Sequence, residues 1–291
     1  MREFVYHRPG SIDEARALAA ADGAMLLAGG QTLLRDMKLG LHSPSSLLDI
    51  AGMVSKQIEF RDGAITIGAG ATHAEVTNSA VLREHLPVLA DLVGHIGDPA
   101  VRHRGTLGGA IAANEHAGDY PAACLALAAT VQTTARRLAA VEFFRGRGGT
   151  TLEPGEIVTG VTFPVVGQAA YIKFLHPAAR YALVGVFVAR ASNGNARVAV
   201  TGAHVDGAFR WRDAETALNA AFDAEQLRGI RVTLNGFAQD LFADAAYRSH
   251  LAAVLARKAV VLASEPAPRV VVISHGSRSK GSNENRTINQ D

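Results

Sequence analysis

The stretch MLLAGGQTLLRDMK, Met25 to Lys38, carries a short apolar run that stops at a glycine pair and restarts as a helix. Glycine loses more backbone freedom on folding than any other residue. A pair at such a join therefore marks a special dihedral or a close approach to the main chain. Working outward, Ser11 and Glu14 have capping-box spacing and predict the helix SIDEARALAAAD. AMLLAG reads as a strand, TLLRDMKLG as a short helix and SSLLDI as a second strand, together a compact α/β unit.

A second unit opens with AITIGAGATHAEV, where a strand at Ile65–Gly68 leads into the capping-box pair Thr72 and Glu75. Pro87 suits the first turn of the helix PVLADLVGHI. GDPAVRHRGTLGGAIAANEHAGDYP, Gly97 to Pro121, has poor periodicity and reads as a long irregular segment, which inside a compact domain points to function. The helix PAACLALAA and the strand TVQTT follow.

Composition bounds the rest. The chain has 291 residues, 48% apolar and 19% charged, as an ordinary globular enzyme does. Its 29 basic and 27 acidic residues leave a net charge of +2, so there is no electrostatic case for nucleic acid. The single cysteine, Cys124 in AACLALAA, excludes an internal disulfide and a cysteine-ligated metal centre, and reads as buried and inert. The start MREFVYHRPGSIDEA lacks a signal-peptide core, and no apolar run nears the ~20 residues of a membrane span. A soluble cytoplasmic protein is the expectation.

From about residue 165 the texture changes. AAYIKFLH, YALVGVFVAR and ARVAVTGAHV read as three strands, the last two joined through Asn193–Gly194, a hairpin signal. WRDAETALNAAF and AYRSHLAAVLARKAVVLA read as helices, giving a strands-then-helices module. Beyond Pro268, VVVIS could dock as an edge strand or remain free, and SHGSRSKGSNENRTINQD is polar and expected to be disordered.

Two glycine pairs, Gly29–Gly30 and Gly108–Gly109, sit beside Thr32 and Thr106. Successive N–H groups in such turns form a concave anion site, and glycine lets a phosphate oxygen approach without a Cβ in the way. Neither loop holds Lys or Arg, so backbone and hydroxyls would carry the contact. A single such pair is equally a helix cap or tight turn. Rossmann and P-loop patterns are absent.

AGGQTLLRDMKLGLHSPSSLLDI, IGAGATHAEV, GDPAVRHRGTLGGAIAANEHAGDYPA and LEPGEIVTGVTFP resemble the FAD-binding medium subunit of molybdenum hydroxylases. That group includes aerobic carbon monoxide dehydrogenase, nicotine- and quinoline-type dehydrogenases and the flavin domain of xanthine dehydrogenase. The likeness runs through about residue 262 in the family's order. It implies an α+β protein: a two-subdomain FAD-binding fold of the PCMH (vanillyl-alcohol-oxidase-like) type over residues 1–165, with subdomains of about 1–55 and 56–165. A C-terminal domain of the carbon monoxide dehydrogenase flavoprotein type, a three-stranded antiparallel sheet with a helix bundle, would cover 166–264, and 265–291 would be a disordered tail.

In that family the flavin lies between the two subdomains and its diphosphate touches both glycine loops. Carried over, Leu26, Leu27, Ala28, Gly29, Gly30, Gln31, Thr32 and Leu33 form the first loop. Thr106, Leu107, Gly108, Gly109 and Ala110 form the second, with Ala110 where the family commonly has Asn or Ser. Ile96 matches a position packed near the isoalloxazine ring, Asp119 an aspartate that contacts the cofactor, and Val158 a position whose backbone meets the adenine end. Lys173 matches a lysine near the flavin, and Tyr181 an aromatic near the ring, although Ala179–Arg180 precede it where the family often has Gly-Asp. Without the resemblance, Ile96 reads as core, Asp119 as the N-cap of a helix starting at Pro121, Lys173 as an exposed strand lysine and Tyr181 as an ordinary strand aromatic. TTARRLAAVEFF is shorter than the family's usual segment.

A flavin used for electron transfer needs little acid–base machinery from the protein. The sequence offers no nucleophile–His–carboxylate set and no metal-ligand spacing, and His103 and His116 read as loop histidines. No catalytic residue is therefore expected in this chain. The resemblance implies FAD here, a molybdenum–pterin cofactor in a large partner subunit and [2Fe–2S] clusters in a small one, assembled as a dimer of heterotrimers. Electrons would pass from the clusters to FAD and on to an external acceptor. Two other readings stay open: a stand-alone FAD-dependent oxidoreductase of the same fold, and a non-redox nucleotide-binding or assembly protein.

Overall fold

A computed structural model describes residues 2–146, 148–232, 235–265 and 269–274. The chain is α+β, and its described residues build three sheets. The first unit runs β1 (Val5–His7), α1 (Ile12–Ala19), β2 (Ala24–Leu27), α2 (Leu33–Lys38) and β3 (Ser46–Asp49). Its parallel sheet has β3 in the middle, with Leu47 opposite both Tyr6 and Met25. The capping pair holds α1: Ser11 Oγ accepts from the Glu14 N–H at 3.2 Å. The Glu14 carboxylate reaches back to the Gly10 N–H at 2.6 Å, one residue before the position of an ideal capping box. β1 was not read from the sequence, because its Val5 and Tyr6 side chains are exposed and give no alternation.

The second unit begins with β4 (Ile58–Arg61) and β5 (Ala64–Gly68), followed by α3 (His73–Asn78), α4 (Ala80–His85) and α5 (Pro87–Gly94). α3 has a full capping box: Thr72 Oγ1 accepts from Glu75 N at 3.2 Å while Glu75 Oε2 accepts from Thr72 N at 2.7 Å. The segment read as irregular is in fact helical. It holds α6 (Pro99–Arg104), α7 (Leu107–Ala113) and the start of α8 (Asp119–Ala126). Helices of six and seven residues are too short to display an apolar stripe. Their ends carry local signals that the irregular reading passed over: Asp98 caps α6 by accepting from Val101 N at 2.8 Å, and Asn114 closes α7 at φ 39°. α8 starts at Asp119 with Gly118 as its N-cap, so Asp119 is the first helical residue and not the cap.

β6 (Thr130–Thr133), β7 (Arg137–Ala139), α9 (Ala140–Phe143) and β8 (Val158–Pro164) complete the second unit. Its sheet is antiparallel in the order β4-β5-β8-β6-β7. The third sheet is a meander of β9 (Gln168–Leu175), β10 (Ala182–Arg190) and β11 (Ala196–Thr201), then β12 (Phe209–Arg210), with α10 (Arg212–Ala220) and α11 (Ala245–Ala263) packed on one face. Gly194, at φ +85°, makes the expected hairpin turn.

Both faces of this sheet are buried, which is why β10 is apolar almost throughout instead of alternating. Ile172, Val184 and Val186 face α10 and α11, whereas Tyr171 and Phe187 join the core of the second unit. The sheet has two strands beyond the three expected, β12 and β13 (Arg269–Ile273). β13 lies parallel to β9 with Val271 opposite Ile172, so VVVIS docks as an edge strand. The tail expected to be disordered over 265–291 is therefore ordered where β13 pairs with β9, and its polar stretch from 275 onward lies outside the described residues. No helix among the described residues is long and apolar enough to cross a membrane.

Candidate functional site

The two glycine loops meet. A Cβ on Gly29 would lie 2.1 Å from the Arg104 carbonyl oxygen and 2.9 Å from the Gly105 Cα, immediately before the second loop. Gly30 sits at φ +72°, in the left-handed region that favours glycine. One glycine thus serves a backbone-to-backbone approach and the next a dihedral.

The loops differ in how their N–H groups are used. In the second, Leu107 N donates to Ala71 O at 2.9 Å and Gly108 N to Ala69 O at 2.8 Å, so both are spent on the turn after β5. Gly109 N donates to Thr106 Oγ1 at 3.2 Å, capping α7. The expectation that main-chain amides of both loops lie bare therefore holds only on one side. In the first loop no side chain caps α2, and the N–H groups of Gly30, Gln31, Thr32 and Leu33 donate to no described residue. Helix starts normally find partners for these groups. Four orphan donors at one turn make a cradle for an anion. At the second loop, a Cβ on Gly109 would meet only Thr106 Oγ1, at 3.0 Å, so that face of α7 is open. Ala110 is half-buried beside it.

Leu26 and Leu27 end β2, half-buried, and lead through Ala28 into the loop. Val158 opens β8, and its neighbour Thr159 accepts from Ala69 N at 3.0 Å. Ala69 in turn holds Gly108, so Val158 lies two hydrogen bonds from the second loop.

A second cluster is polar and buried. Lys173 is 1% exposed and Asp119 6%, with Lys173 Nζ donating to Asp119 Oδ2 at 2.7 Å and more distantly to His95 O at 3.5 Å. Lys173 is thus no exposed strand lysine. The Tyr171 hydroxyl donates to Asp119 Oδ1, and Gly185 on β10 leaves room for that hydroxyl. Burial beside this carboxylate holds the Tyr171 phenol well above its ordinary pKa of 10.0, so it stays protonated as a donor. Ile96 follows His95 and packs half-buried against the core, its carbonyl accepting from Arg102 Nη1 at 3.2 Å. Ile96, Asp119 and Lys173 are therefore brought together by the end of α5, the start of α8 and β9.

Tyr181 is separate from that cluster and faces the first loop's helix. Arg35 of α2 donates through Nη1 to the Tyr181 hydroxyl and lies over its ring at 5.9 Å. Arg35 Nη2 also donates to Glu115 Oε1 at 2.5 Å. Arg35, Glu115 and Tyr171 were missed in the sequence. The signals were an arginine one turn past a glycine loop, and a tyrosine two residues before Lys173 and hence on the same face of β9.

Beneath the second loop, His73 N donates to Gly105 O at 2.9 Å, and the ring is 4% exposed with Nδ1 unpartnered. Burial, with Arg102 adding repulsion, lowers its pKa from 6.5 to about 4, so the imidazole is neutral at physiological pH. His103 and His116 are exposed. Cys124 is buried as expected, and desolvation pushes its thiol up, away from thiolate chemistry.

A family model described as the FAD binding domain in molybdopterin dehydrogenase matches residues 2–166. The chain is 32% identical over 271 residues to the nicotine 6-hydroxylase medium subunit of Paenarthrobacter nicotinovorans, covering 88% of this chain and 95% of that one. It is 31% identical over 274 residues to the carbon monoxide dehydrogenase medium chain of Hydrogenophaga pseudoflava, covering 88% and 96%. A chain of the reconstituted CO dehydrogenase from Oligotropha carboxidovorans superposes with a TM-score of 0.84 at 30% identity, over 91% of this chain and 99% of that one.

Proposed function

Since the chain belongs to the family of FAD-binding domains in molybdopterin dehydrogenases, we propose that its two touching glycine loops hold the diphosphate of one FAD. The reading makes it the electron-transfer subunit of a heteromeric molybdenum hydroxylase, an oxidoreductase component. The residues present fit the group. Four unpartnered N–H groups from Gly30 to Leu33 suit phosphate oxygens, and the open face at Gly109 admits them without a Cβ. The Thr106 hydroxyl, accepting from Gly109 N, keeps its own proton to donate. When bound, FAD takes electrons from an iron–sulfur partner and passes them to an external acceptor.

The chain's residues position and insulate. Leu26, Leu27 and Ala28 lead into the cradle, and Val158 sets the far wall through its main chain. Ile96 offers an apolar surface. Lys173 and Asp119 cancel each other's charge, so they present a polar but neutral wall that is already hydrogen-bonded. No nucleophile or acid–base pair is needed, and none of these residues is assigned a catalytic role.

The partners in this reading are a large molybdopterin-binding subunit and a small [2Fe–2S] subunit, in a dimer of heterotrimers located in the cytoplasm. The observation that carries the proposal is the row of orphan amides on α2, set against a second loop that touches it through Gly29. The test is to purify the chain with its partners and extract flavin with acid. About one FAD per chain is expected, bleached when the small subunit is supplied reduced. A colourless assembled complex would refute the reading.

A further inference from the structure

We propose that Arg35 is a latch on the cofactor cleft: its guanidinium joins three walls and sets how fast FAD enters and leaves, with little effect on how tightly FAD is held. The inference rests on the FAD reading above and adds a residue outside the glycine loops.

The first wall is α2, whose start supplies the orphan amides and which carries Arg35 itself. The second is the turn between α7 and α8, carrying Glu115, whose Oε1 accepts from Arg35 Nη2 at 2.5 Å. The third is the connection between β9 and β10, carrying Tyr181, whose hydroxyl accepts from Arg35 Nη1. Arg35 Nε donates to Asp36 Oδ1 at 2.9 Å, so the fork is aimed by a neighbour on its own helix. Asp36 is 8% exposed, which fixes that end of the arrangement. These partners lie 80 and 146 residues away in sequence, so the three walls are tied across the fold and not within one element.

Energetics argue for a gate over a structural staple. The Arg35 side chain is 39% exposed and that of Glu115 28%, and Tyr181 is 41% exposed. Partly exposed ion pairs and hydrogen bonds of this kind add little to folding and are weakened by salt. They are strong enough to hold walls together for a time and weak enough to open. Opening separates Tyr181 from the helix that follows the first glycine loop, the motion that would let a bulky dinucleotide reach the unpartnered amides at that helix's start. A contact broken in the open state and restored in both the free and loaded closed states raises the barrier in both directions equally.

The test is cofactor exchange in the assembled complex. Release is followed by recovery of FAD fluorescence on dilution, and uptake by its quenching when FAD is added to cofactor-stripped complex. Arg35→Met is expected to accelerate both rates by about tenfold, in line with losing a pair of charge-assisted contacts, while Kd stays within about twofold. Raising ionic strength is expected to accelerate exchange in the wild type and to leave Arg35→Met unchanged, a response that a purely structural role would not produce. Tyr181→Phe, which removes one of the contacts without touching the charges, should give a smaller rise in both rates. Should Arg35→Met fail to fold, Arg35→Lys keeps the charge but loses the fork, and should accelerate both rates by less than about tenfold while keeping a salt response; wild-type rates in Arg35→Lys would overturn the latch. Faster release with unchanged uptake would make Arg35 a ligand contact and overturn the latch. So would unchanged rates in both directions. Absence of FAD from the wild-type complex would instead overturn the parent reading.

Discussion

Removing either member of the Asp119–Lys173 pair should damage the fold far more than removing both. Lys173 is 1% exposed and Asp119 6%, at 2.7 Å, so a single substitution leaves a buried charge without its counter-ion. Breaking such a pair costs about 3–5 kcal/mol, whereas replacing both members by apolar residues of similar volume is often neutral. Asp119→Leu and Lys173→Met are each expected to lose that amount, roughly 10 °C in Tm at this chain length. The double variant should recover most of it. It still strands the Tyr171 hydroxyl, which donates to Asp119, and that orphan costs about 1–3 kcal/mol. Adding Tyr171→Phe should therefore bring the triple variant within about 1 kcal/mol of wild type. The assay is denaturant unfolding of the cofactor-stripped chain, analysed as a double-mutant cycle. Additive losses in the double variant, or singles with no measurable loss, would refute the claim that the cluster is a closed, mutually satisfied unit.

Other consequences concern pH and glycine. The unfolded His73 imidazole takes up its proton near pH 6.5 and the folded one only near pH 4. Between those values the unfolded state holds the extra proton, so stability is full above about pH 6.5 and falls by up to about 3 kcal/mol as pH drops toward 4. His73→Phe should flatten this limb in pH-dependent unfolding curves. Gly29→Ala should disrupt folding, since its Cβ would sit 2.1 Å from the Arg104 carbonyl oxygen. Gly109→Ala gains about 1 kcal/mol of helix propensity but sets its methyl 3.0 Å from the capping Thr106 Oγ1, which must give by a few tenths of an ångström, so its stability should stay within about 1 kcal/mol of wild type. It should nonetheless lose FAD affinity by at least about tenfold, read by fluorescence titration, since one methyl group then occupies the open face.

Local rules made much of this molecule legible. Ser11, Thr72 and Pro87 marked helix starts that the structure keeps, and Asn193–Gly194 marked its hairpin. The glycine pair at 29–30 was readable as a special backbone, although its two reasons, an approaching carbonyl and a positive φ, were not separable by sequence. What stayed hidden is long-range. Lys173 looked like a solvent-facing strand lysine because nothing nearby in sequence shows that α8 covers that face and brings Asp119 to it. Arg35 sits in a six-residue helix, LLRDMK, too short to show which face it presents, and its meaning comes from Glu115 and Tyr181, which only tertiary packing supplies. The second loop's amides looked as available as the first loop's until the β5 turn was seen to accept from them.

The central claim is that the touching glycine loops grip a diphosphate, and it is tested most directly by titrating the cofactor-stripped chain with FAD, FMN and riboflavin under identical conditions. FAD should saturate at one per chain, with FMN and riboflavin, which lack the diphosphate bridge, weaker by orders of magnitude. Equal affinity for riboflavin, or no binding of FAD at all, would contradict it.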